Sequence, residues 1–272
     1  MGYTISVIIP FVHFDDNIKR TVNSVRQWAD EIIAINDGVE ELVEELPGVI
    51  FCEYSGNKGV SHARNVGLER STCDYILFLD CGDIVIDYPQ KLGDNDICFF
   101  LYRQNNKENG TMSSQADIRE AIISGNSRFW ICSTLFKRNF LNEYSLRFEL
   151  GFNWAEDVTF ILDALDKSST YYVSDLFLTE KIENDNSLTK DNHTNNVSNV
   201  SRFVLFQNKF GKRYWSKRFL VRNATHLLVL NCSSRYLDER FELKLRKFIF
   251  QNLRFLGFKS TLKFVYYFFA RK

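Results

Sequence analysis

Four short apolar segments alternate with helical or turn-rich segments through the first 80 residues of the chain. They cover residues 5–10, 31–36, 49–54 and 75–79, and each has the length and composition of a buried strand. Parallel neighbours in a sheet need a crossover between them, which is usually a helix. The alternation βαβαβαβ therefore predicts an α/β fold with a mostly parallel sheet and right-handed crossovers.

Local signals predict the remaining elements. Asp15 or Asp16 can cap a first helix, and Ser61 can cap another that runs to about residue 70. Apolar periodicity and turn residues predict further helices at 39–46, 118–123, 133–141 and 153–165, strands at 97–102 and 171–178, and a polar loop at 183–199.

Polar side chains follow three of the four N-terminal strands. Asp37 comes after the second strand, Asn57 and Lys58 after the third, and Asp80 and Asp83 after the fourth. Open α/β sheets bind ligands beyond the carboxyl ends of their strands. We therefore expect these side chains to share one rim of the sheet.

The two aspartates after the fourth strand, Asp80 and Asp83, are separated by Cys81 and Gly82. Two carboxylates at a strand end can hold a divalent cation through oxygen ligands, and the cation can hold phosphates. The alternative is structural, with Asp80 starting a turn and Asp83 capping a neighbouring element. Neither the dinucleotide fingerprint nor the phosphate-loop pattern of glycines occurs in this region.

The charged residues are divided unevenly along the chain. Residues 1–200 hold 17 Lys and Arg against 31 Asp and Glu, whereas residues 201–272 hold 17 against 3. Aromatic residues alternate with the basic ones in this helical C-terminal segment, which is typical of helices on anionic membrane surfaces. The alternative is a basic helix that packs on the acidic body. Nucleic acid is not an expected partner, because no recognised binding module accompanies the charge.

The cysteines and the hydropathy of the chain predict its cellular compartment. Six cysteines form no Cys-x-x-Cys pair and no signal peptide precedes the first strand, so free thiols in a reducing cytoplasm are expected. No uncharged apolar run reaches the roughly 18 to 20 residues that a spanning helix needs. With the basic segment, this predicts a cytoplasmic protein, peripheral at the inner face of the cell membrane.

Four motifs, in the order ISVIIPF, EIIAINDG, NKGVSHARNVGL and DYILFLDCGD, resemble those of family 2 glycosyltransferases with the GT-A fold. The similarity continues to an Ala-Glu-Asp triplet at 155–157 and spans residues 4–190. It implies a GT-A glycosyltransferase domain followed by a helical extension outside the resemblance. The implied regions are a nucleotide-sugar-binding half at 1–90 and an acceptor-side half at 91–200, which form the domain 1–200, and the extension at 201–272.

The resemblance implies a role for each matching residue. Contacts to the donor nucleotide and its diphosphate are implied for Pro10, Asp37, Lys58, Gly59, Arg64 and Asp80. Asp80 and Asp83 correspond to the acidic motif that holds Mn²⁺ or Mg²⁺. Asp157 corresponds to the general base, with Glu156 beside it.

The implied activity is inverting transfer of a hexosyl or N-acetylhexosaminyl group from a nucleotide diphosphate sugar, with UDP expected. The implied acceptor is a glycan or lipid-linked oligosaccharide of a bacterial-type surface polysaccharide. Three departures from the family pattern bear on this. Gly82 stands where a further aspartate is usual. Asn36 and Val39 replace the first of two aspartates and a common serine, and His13 stands where asparagine is frequent. The alternatives are a polyprenyl-phosphate sugar synthase and a non-catalytic nucleotide-binding relative, which Gly82 favours.

Overall fold

The computed structural model describes residues 2–38, 46–53, 58–104, 107–108, 118–124, 130–151, 156–182, 203–204, 207–208, 216–234, 237 and 239–255. Within these residues the strands are β1 (Ile5–Phe11), β2 (Glu31–Asn36), β3 (Ile50–Glu53), β4 (Tyr75–Phe78), β5 (Ile84–Val85), β6 (Ile97–Gln104), β7 (Lys107–Glu108), β8 (Thr134–Lys137) and β9 (Tyr171–Lys181). The helices are α1 (Asp16–Val25), α2 (Val60–Arg70), α3 (Ile118–Ser124), α4 (Arg138–Glu143), α5 (Glu156–Lys167), α6 (Ser216–Ser234) and α7 (Glu239–Gln251).

One mixed sheet contains all nine described strands, in the order β3-β2-β1-β4-β8-β6-β9-β5 with β7 paired to β6. The first four strands are parallel, as predicted, and Ile8 of β1 stands opposite Ile33 of β2 and Phe78 of β4. β8 then pairs antiparallel with both β4 and β6, and parallel pairing resumes between β6 and β9. The carboxyl ends of the first four strands therefore point to one edge of the sheet.

Helix α1 forms as its sequence signals predict. The Asp15 carboxylate caps it by accepting the backbone N–H of Asn17 at 2.9 Å and of Ile18 at 3.4 Å. Ile18, Val22 and Val25 lie three or four residues apart and are fully buried. The helix thus presents one apolar stripe to the sheet, and the polar cap defines where it begins.

Two local predictions are wrong. Residues 133–141 do not form one helix: a 3-10 turn at Ile131–Ser133 leads into β8, and α4 follows. The TLFK segment of β8 is a strand because it lies between β4 and β6 and completes both ladders, a tertiary contact that local spacing does not report. Helix α2 begins after Gly59, so Ser61 lies buried in its first turn and is not the cap. The predicted helix at 39–46 and loop at 183–199 fall almost wholly outside the described residues.

A cluster of phenylalanine rings joins the sheet to α5. Phe148 stacks on Phe160 with 4.0 Å between ring centroids and meets Phe78 edge-on at 4.9 Å. Phe136 of β8 lies 5.2 Å from Phe160. Such aromatic pairs stabilise by about 0.5 to 1.5 kcal/mol each beyond the burial of their surface. The cluster therefore holds the start of α5 close to the carboxyl end of β4.

The chain divides into two compact units, Met1–Ile122 with Ser127–Asn184 and Ile123–Asn126 with Asp185–Lys272. In the second unit α6 and α7 pack against each other, and Ala224, Leu228, Leu245 and Ile249 are buried. None of the described helices is long and apolar enough to cross a membrane. The predicted boundary after residue 200 lies among residues that are not described.

Replacing Gly67 tests how tightly α2 packs on β1. A Cβ atom at Gly67 would lie 2.3 Å from Cγ2 of Ile8. Alanine favours an isolated helix by about 1 kcal/mol over glycine, but overpacking a core costs about 1 to 3 kcal/mol. We expect Gly67→Ala to lower the free energy of unfolding by roughly 1 kcal/mol in urea titrations. Gly2→Ala, where a Cβ meets nothing within 4 Å, is the control. A more stable Gly67→Ala protein would contradict the packing.

Candidate active site

Asp37 organises the loop that precedes α2. It follows β2 directly, is only 4% exposed, and donates its backbone N–H to the Phe11 carbonyl at 2.8 Å. Its Oδ1 accepts the backbone N–H of Lys58 at 3.1 Å and of Gly59 at 3.2 Å. Burial raises the pKa of Asp37, and the two N–H groups oppose that shift. This anchoring task was not predicted, and the proposed contact of Asp37 with a nucleotide base stays a prediction.

The residues around Asp37 occupy distinct positions. Gly59 has a φ of 91°, a left-handed value that favours glycine, and it ends the loop at the first turn of α2. Lys58 is exposed beside it. Strand β1 continues past Pro10 to Phe11. Pro10 therefore lies within the strand, where it is buried opposite Ile35 of β2. Asn57 lies outside the described residues. The donor roles of Pro10, Lys58 and Gly59 stay predictions.

The acidic turn after β4 has a backbone that requires glycine. Gly82 has a φ of 104°, which side-chain-bearing residues rarely adopt. Its N–H donates to Thr21 Oγ1 at 2.9 Å, and that hydroxyl donates to the Asp83 carbonyl at 2.8 Å. Asp83 N–H in turn donates to the Asp80 carbonyl at 3.1 Å. The conformation of this turn therefore favours glycine at position 82, where the family resemblance implies a further aspartate.

Asp80 and Asp83 form a three-residue cluster with Cys132, in which one ligand atom of each lies within 4.8 Å of the others. Cys132 is fully buried in the 3-10 turn before β8, and its Sγ accepts the Asp80 N–H at 3.4 Å. Asp83 Oδ1 accepts the N–H of Ile182 at 3.0 Å. Sequence reasoning missed Cys132, since no spacing motif marks it.

The electrostatics of this cluster suit a cation. Burial, reinforced by the charge of Asp80, raises the pKa of Asp83 to about 7. Burial and the two carboxylates also hold the pKa of the Cys132 thiol well above its usual range. A divalent cation would favour the ionised form of the groups that it binds, and Mg²⁺ and Mn²⁺ take carboxylate oxygens as ligands. The residues present therefore fit a cation such as Mn²⁺.

Arg64 joins the acidic turn to α5. It projects from α2, is 2% exposed, and its Nη2 lies 2.6 Å from Asp80 Oδ1 while its Nη1 lies 3.5 Å from Glu156 Oε1. Its guanidinium carbon lies 5.1 Å from the centre of the Phe148 ring. Burial opposes the charge, but the carboxylates of Asp80 and Glu156 more than offset it and raise the pKa of Arg64. The predicted nucleotide, metal and base segments thus meet at this one cation.

Glu156 and Asp157 begin α5, as predicted for the start of this helix. Burial raises the pKa of both carboxyl groups; the neighbouring Asp157 charge adds to the shift at Glu156, and Arg64 opposes it at both. Asp157 Oδ1 accepts only the adjacent N–H of Val158 among the hydrogen bonds of the described residues, at 2.7 Å. Glu156, in contrast, forms an ion pair with Arg64. The assignment of Asp157 as the general base stays a prediction that this arrangement permits.

The model of the family described as Glycosyl transferase family 2 matches residues 6–89. The poly(ribitol-phosphate) beta-N-acetylglucosaminyltransferase TarP of Staphylococcus aureus is 26% identical over 194 residues, which cover 62% of this chain and 59% of TarP. The structure of S. aureus TarS 1-349 in complex with UDP-GlcNAc matches with a TM-score of 0.60 at 14% identity, covering 97% of this chain and 87% of that one. The mannosyltransferase PcManGT from Pyrobaculum calidifontis, in complex with GDP-Man and Mn²⁺, matches with a TM-score of 0.51 at 11% identity, covering 100% and 89%.

These comparisons confirm the family resemblance and the GT-A fold predicted from the motifs. At such low identities the solved structures support the fold alone. The match covers 59% of the length of TarP. The activity of the complete TarP protein is therefore not assigned to this chain.

Substituting Asp37 separates its anchoring role from its charge. Asp37→Ala removes the acceptor of two N–H groups and is expected to lower the free energy of unfolding by about 1 to 3 kcal/mol. Asp37→Asn keeps a carbonyl oxygen in that place and is expected to lose less. Amide hydrogen exchange at Lys58 and Gly59 should accelerate in the alanine variant only. Glu69→Ala, an exposed change in α2, is the control. Unchanged exchange in Asp37→Ala would refute the anchoring role.

Proposed function

From the match of residues 6–89 to the model of glycosyl transferase family 2, we propose that the chain is an inverting glycosyltransferase. It transfers a hexosyl or N-acetylhexosaminyl group from a nucleotide diphosphate sugar to a glycan or lipid-linked oligosaccharide in the biosynthesis of a bacterial-type surface polysaccharide. The observation that carries the proposal is the buried Arg64, which pairs with Asp80 and Glu156. Its cation stands between the acidic turn, where a diphosphate would lie, and the residue pair that includes Asp157.

UDP is the proposed nucleotide. The name of TarP specifies N-acetylglucosaminyl transfer to poly(ribitol-phosphate), and TarS is seen in complex with UDP-GlcNAc. Asp37 is buried at the end of β2, and the family resemblance implies that it contacts the uracil ring of the donor. GDP is the competing donor nucleotide, since PcManGT is seen with GDP-Man.

A divalent cation is proposed to bind Asp80 and Asp83, with Cys132 as a third ligand. Carboxylate oxygens suit both Mg²⁺ and Mn²⁺, whereas a thiolate suits the softer Mn²⁺ better. PcManGT is seen with Mn²⁺. When bound, such a cation would neutralise negative charge that develops on the leaving diphosphate.

Asp157 and Arg64 have different roles in the proposed reaction. Asp157 accepts the proton of the acceptor hydroxyl while that oxygen bonds to the anomeric carbon and the bond to the diphosphate breaks on the opposite face. Burial raises the pKa of Asp157, which makes its carboxylate a stronger base than an exposed aspartate. Arg64 supplies a fixed positive charge that needs no rearrangement during the reaction.

Thermal shift measurements test the donor and the cation together. UDP, GDP and TDP are each added with and without Mn²⁺, and the largest rise in melting temperature is expected for UDP with Mn²⁺. A ligand at 100 times its Kd stabilises the folded state by about 2.7 kcal/mol. Asp83→Asn should abolish the Mn²⁺-dependent part, whereas Asp87→Asn, an exposed neighbour, should keep it. If no diphosphate shows a Mn²⁺-dependent shift with the unmodified chain, the metal-bound donor site is wrong.

Asp157→Asn tests the general base. The substitution is expected to lower kcat by about 10²- to 10⁴-fold, because the amide cannot accept a proton. Donor-induced thermal shifts should stay close to those of the unmodified chain, which separates chemistry from binding. Asp175→Asn on β9, an exposed change, is the control and should keep full activity. Full activity of Asp157→Asn with a polyprenyl phosphate acceptor would instead favour a polyprenyl-phosphate sugar synthase, whose acceptor needs no strong base.

A further inference from the structure

The outer face of α7 carries two large apolar side chains. Leu243 is 65% exposed and Phe250 is 63% exposed. Residues seven apart in a helix lie on the same side, about two turns from each other. A single exposed apolar residue is ordinary on a protein surface. Two of them aligned on one short helix form an apolar stripe.

The opposite side of α7 serves the packing of its own unit. Leu245 and Ile249 are buried there, and Phe248 meets Phe203 edge-on with 6.3 Å between ring centroids. Arg246 pairs with Glu242 across one helical turn, with 2.7 Å between Nη2 and Oε1. This inner face already stabilises the helix. The stripe of Leu243 and Phe250 is therefore not required for the packing of α7.

Basic side chains flank the stripe. Arg240, Lys244 and Lys247 are all exposed on α7. At about 100° per residue, Lys247 lies within roughly 60° of both Leu243 and Phe250 around the helix axis. Long basic side chains can lay their methylene groups along such a stripe and keep the charge outward. Glu239 is also exposed beside the stripe, in the first turn of α7. Against the three exposed basic residues it leaves this face with a net positive charge next to exposed apolar surface.

We propose that this outer face of α7 docks on an anionic lipid bilayer. Leu243 and Phe250 enter the boundary between headgroups and acyl chains, and the flanking basic groups contact the lipid phosphates. Charge complementarity favours this occupant over a second copy of the chain, because two such faces would bring like charges together. The surrounding segment 201–272 holds 17 Lys and Arg against 3 Asp and Glu, which adds to the attraction.

The proposal goes beyond the proposed function and does not depend on it. Membrane docking would hold the chain at the surface where a lipid-linked acceptor is found. A failure to bind vesicles would leave the assignment of the donor site untouched. Conversely, a failed donor-binding experiment would leave the membrane-docking face untouched.

Vesicle sedimentation of the full chain tests the docking. Binding is expected to vesicles of phosphatidylcholine with phosphatidylglycerol at low salt, weakly at high salt, and hardly at all to phosphatidylcholine alone. The double variant Leu243→Ser with Phe250→Ser should weaken partitioning at least about tenfold, through lost apolar burial. Lys244→Gln with Lys247→Gln should weaken it by about tenfold or more at low salt.

Matched controls exclude general effects of charge or hydrophobicity. Leu150→Ser removes an exposed apolar side chain from the other unit, and Lys91→Gln with Lys167→Gln makes the same change in net charge there. Both should bind vesicles as the unmodified chain does, and circular dichroism checks that every variant is folded. Absence of binding at low salt would overturn the proposal, as would unchanged binding by both face variants. A dimer that Leu243→Ser with Phe250→Ser abolishes, without vesicle binding, would identify a second copy as the occupant and overturn it too.

Discussion

The candidate site depends on one buried cation, the guanidinium of Arg64. A buried charge is costly unless it is paired, and Arg64 is paired with Asp80 and Glu156 and covered by the ring of Phe148. Phe148 is itself held by its stack on Phe160. Three separate elements, α2, the turn after β4 and the start of α5, are thereby placed around one positive charge. Removing that charge would leave the carboxylates without their counter-ion.

The turn after β4 holds the two aspartates of the acidic motif close together. Gly82 has a left-handed backbone conformation and donates its N–H to the hydroxyl of Thr21. In this turn, carboxylate oxygens of Asp80 and Asp83 lie within 4.8 Å of each other. Cys132 lies near them, in the turn before β8. The backbone at position 82 favours glycine, and a thiol from another element lies near the two carboxylates.

The parts of the fold that could be predicted are those specified by local pattern. β2 is found at the predicted residues, and α1 has its predicted cap at Asp15 because side-chain capping and apolar spacing act within a few residues. The prediction failed at β8, where four residues form a strand only because β4 and β6 flank them. Asp37 is a second example. It accepts hydrogen bonds from two N–H groups that lie 21 and 22 residues further along the chain, and no local sequence pattern predicts such a contact.

The sequence by itself determined the α/β alternation, the acidic turn at a strand end and the basic, aromatic character of the last 72 residues. These are properties of composition and short-range periodicity, which act before any distant contact forms. Only the tertiary structure decided that Arg64 faces Glu156, 92 residues away, and that Cys132 reaches Asp80 across 52 residues. It also decided which face of α7 is buried and which leaves Leu243 and Phe250 exposed. Pairings over such separations depend on how the sheet and helices pack, and packing is a property of the whole chain.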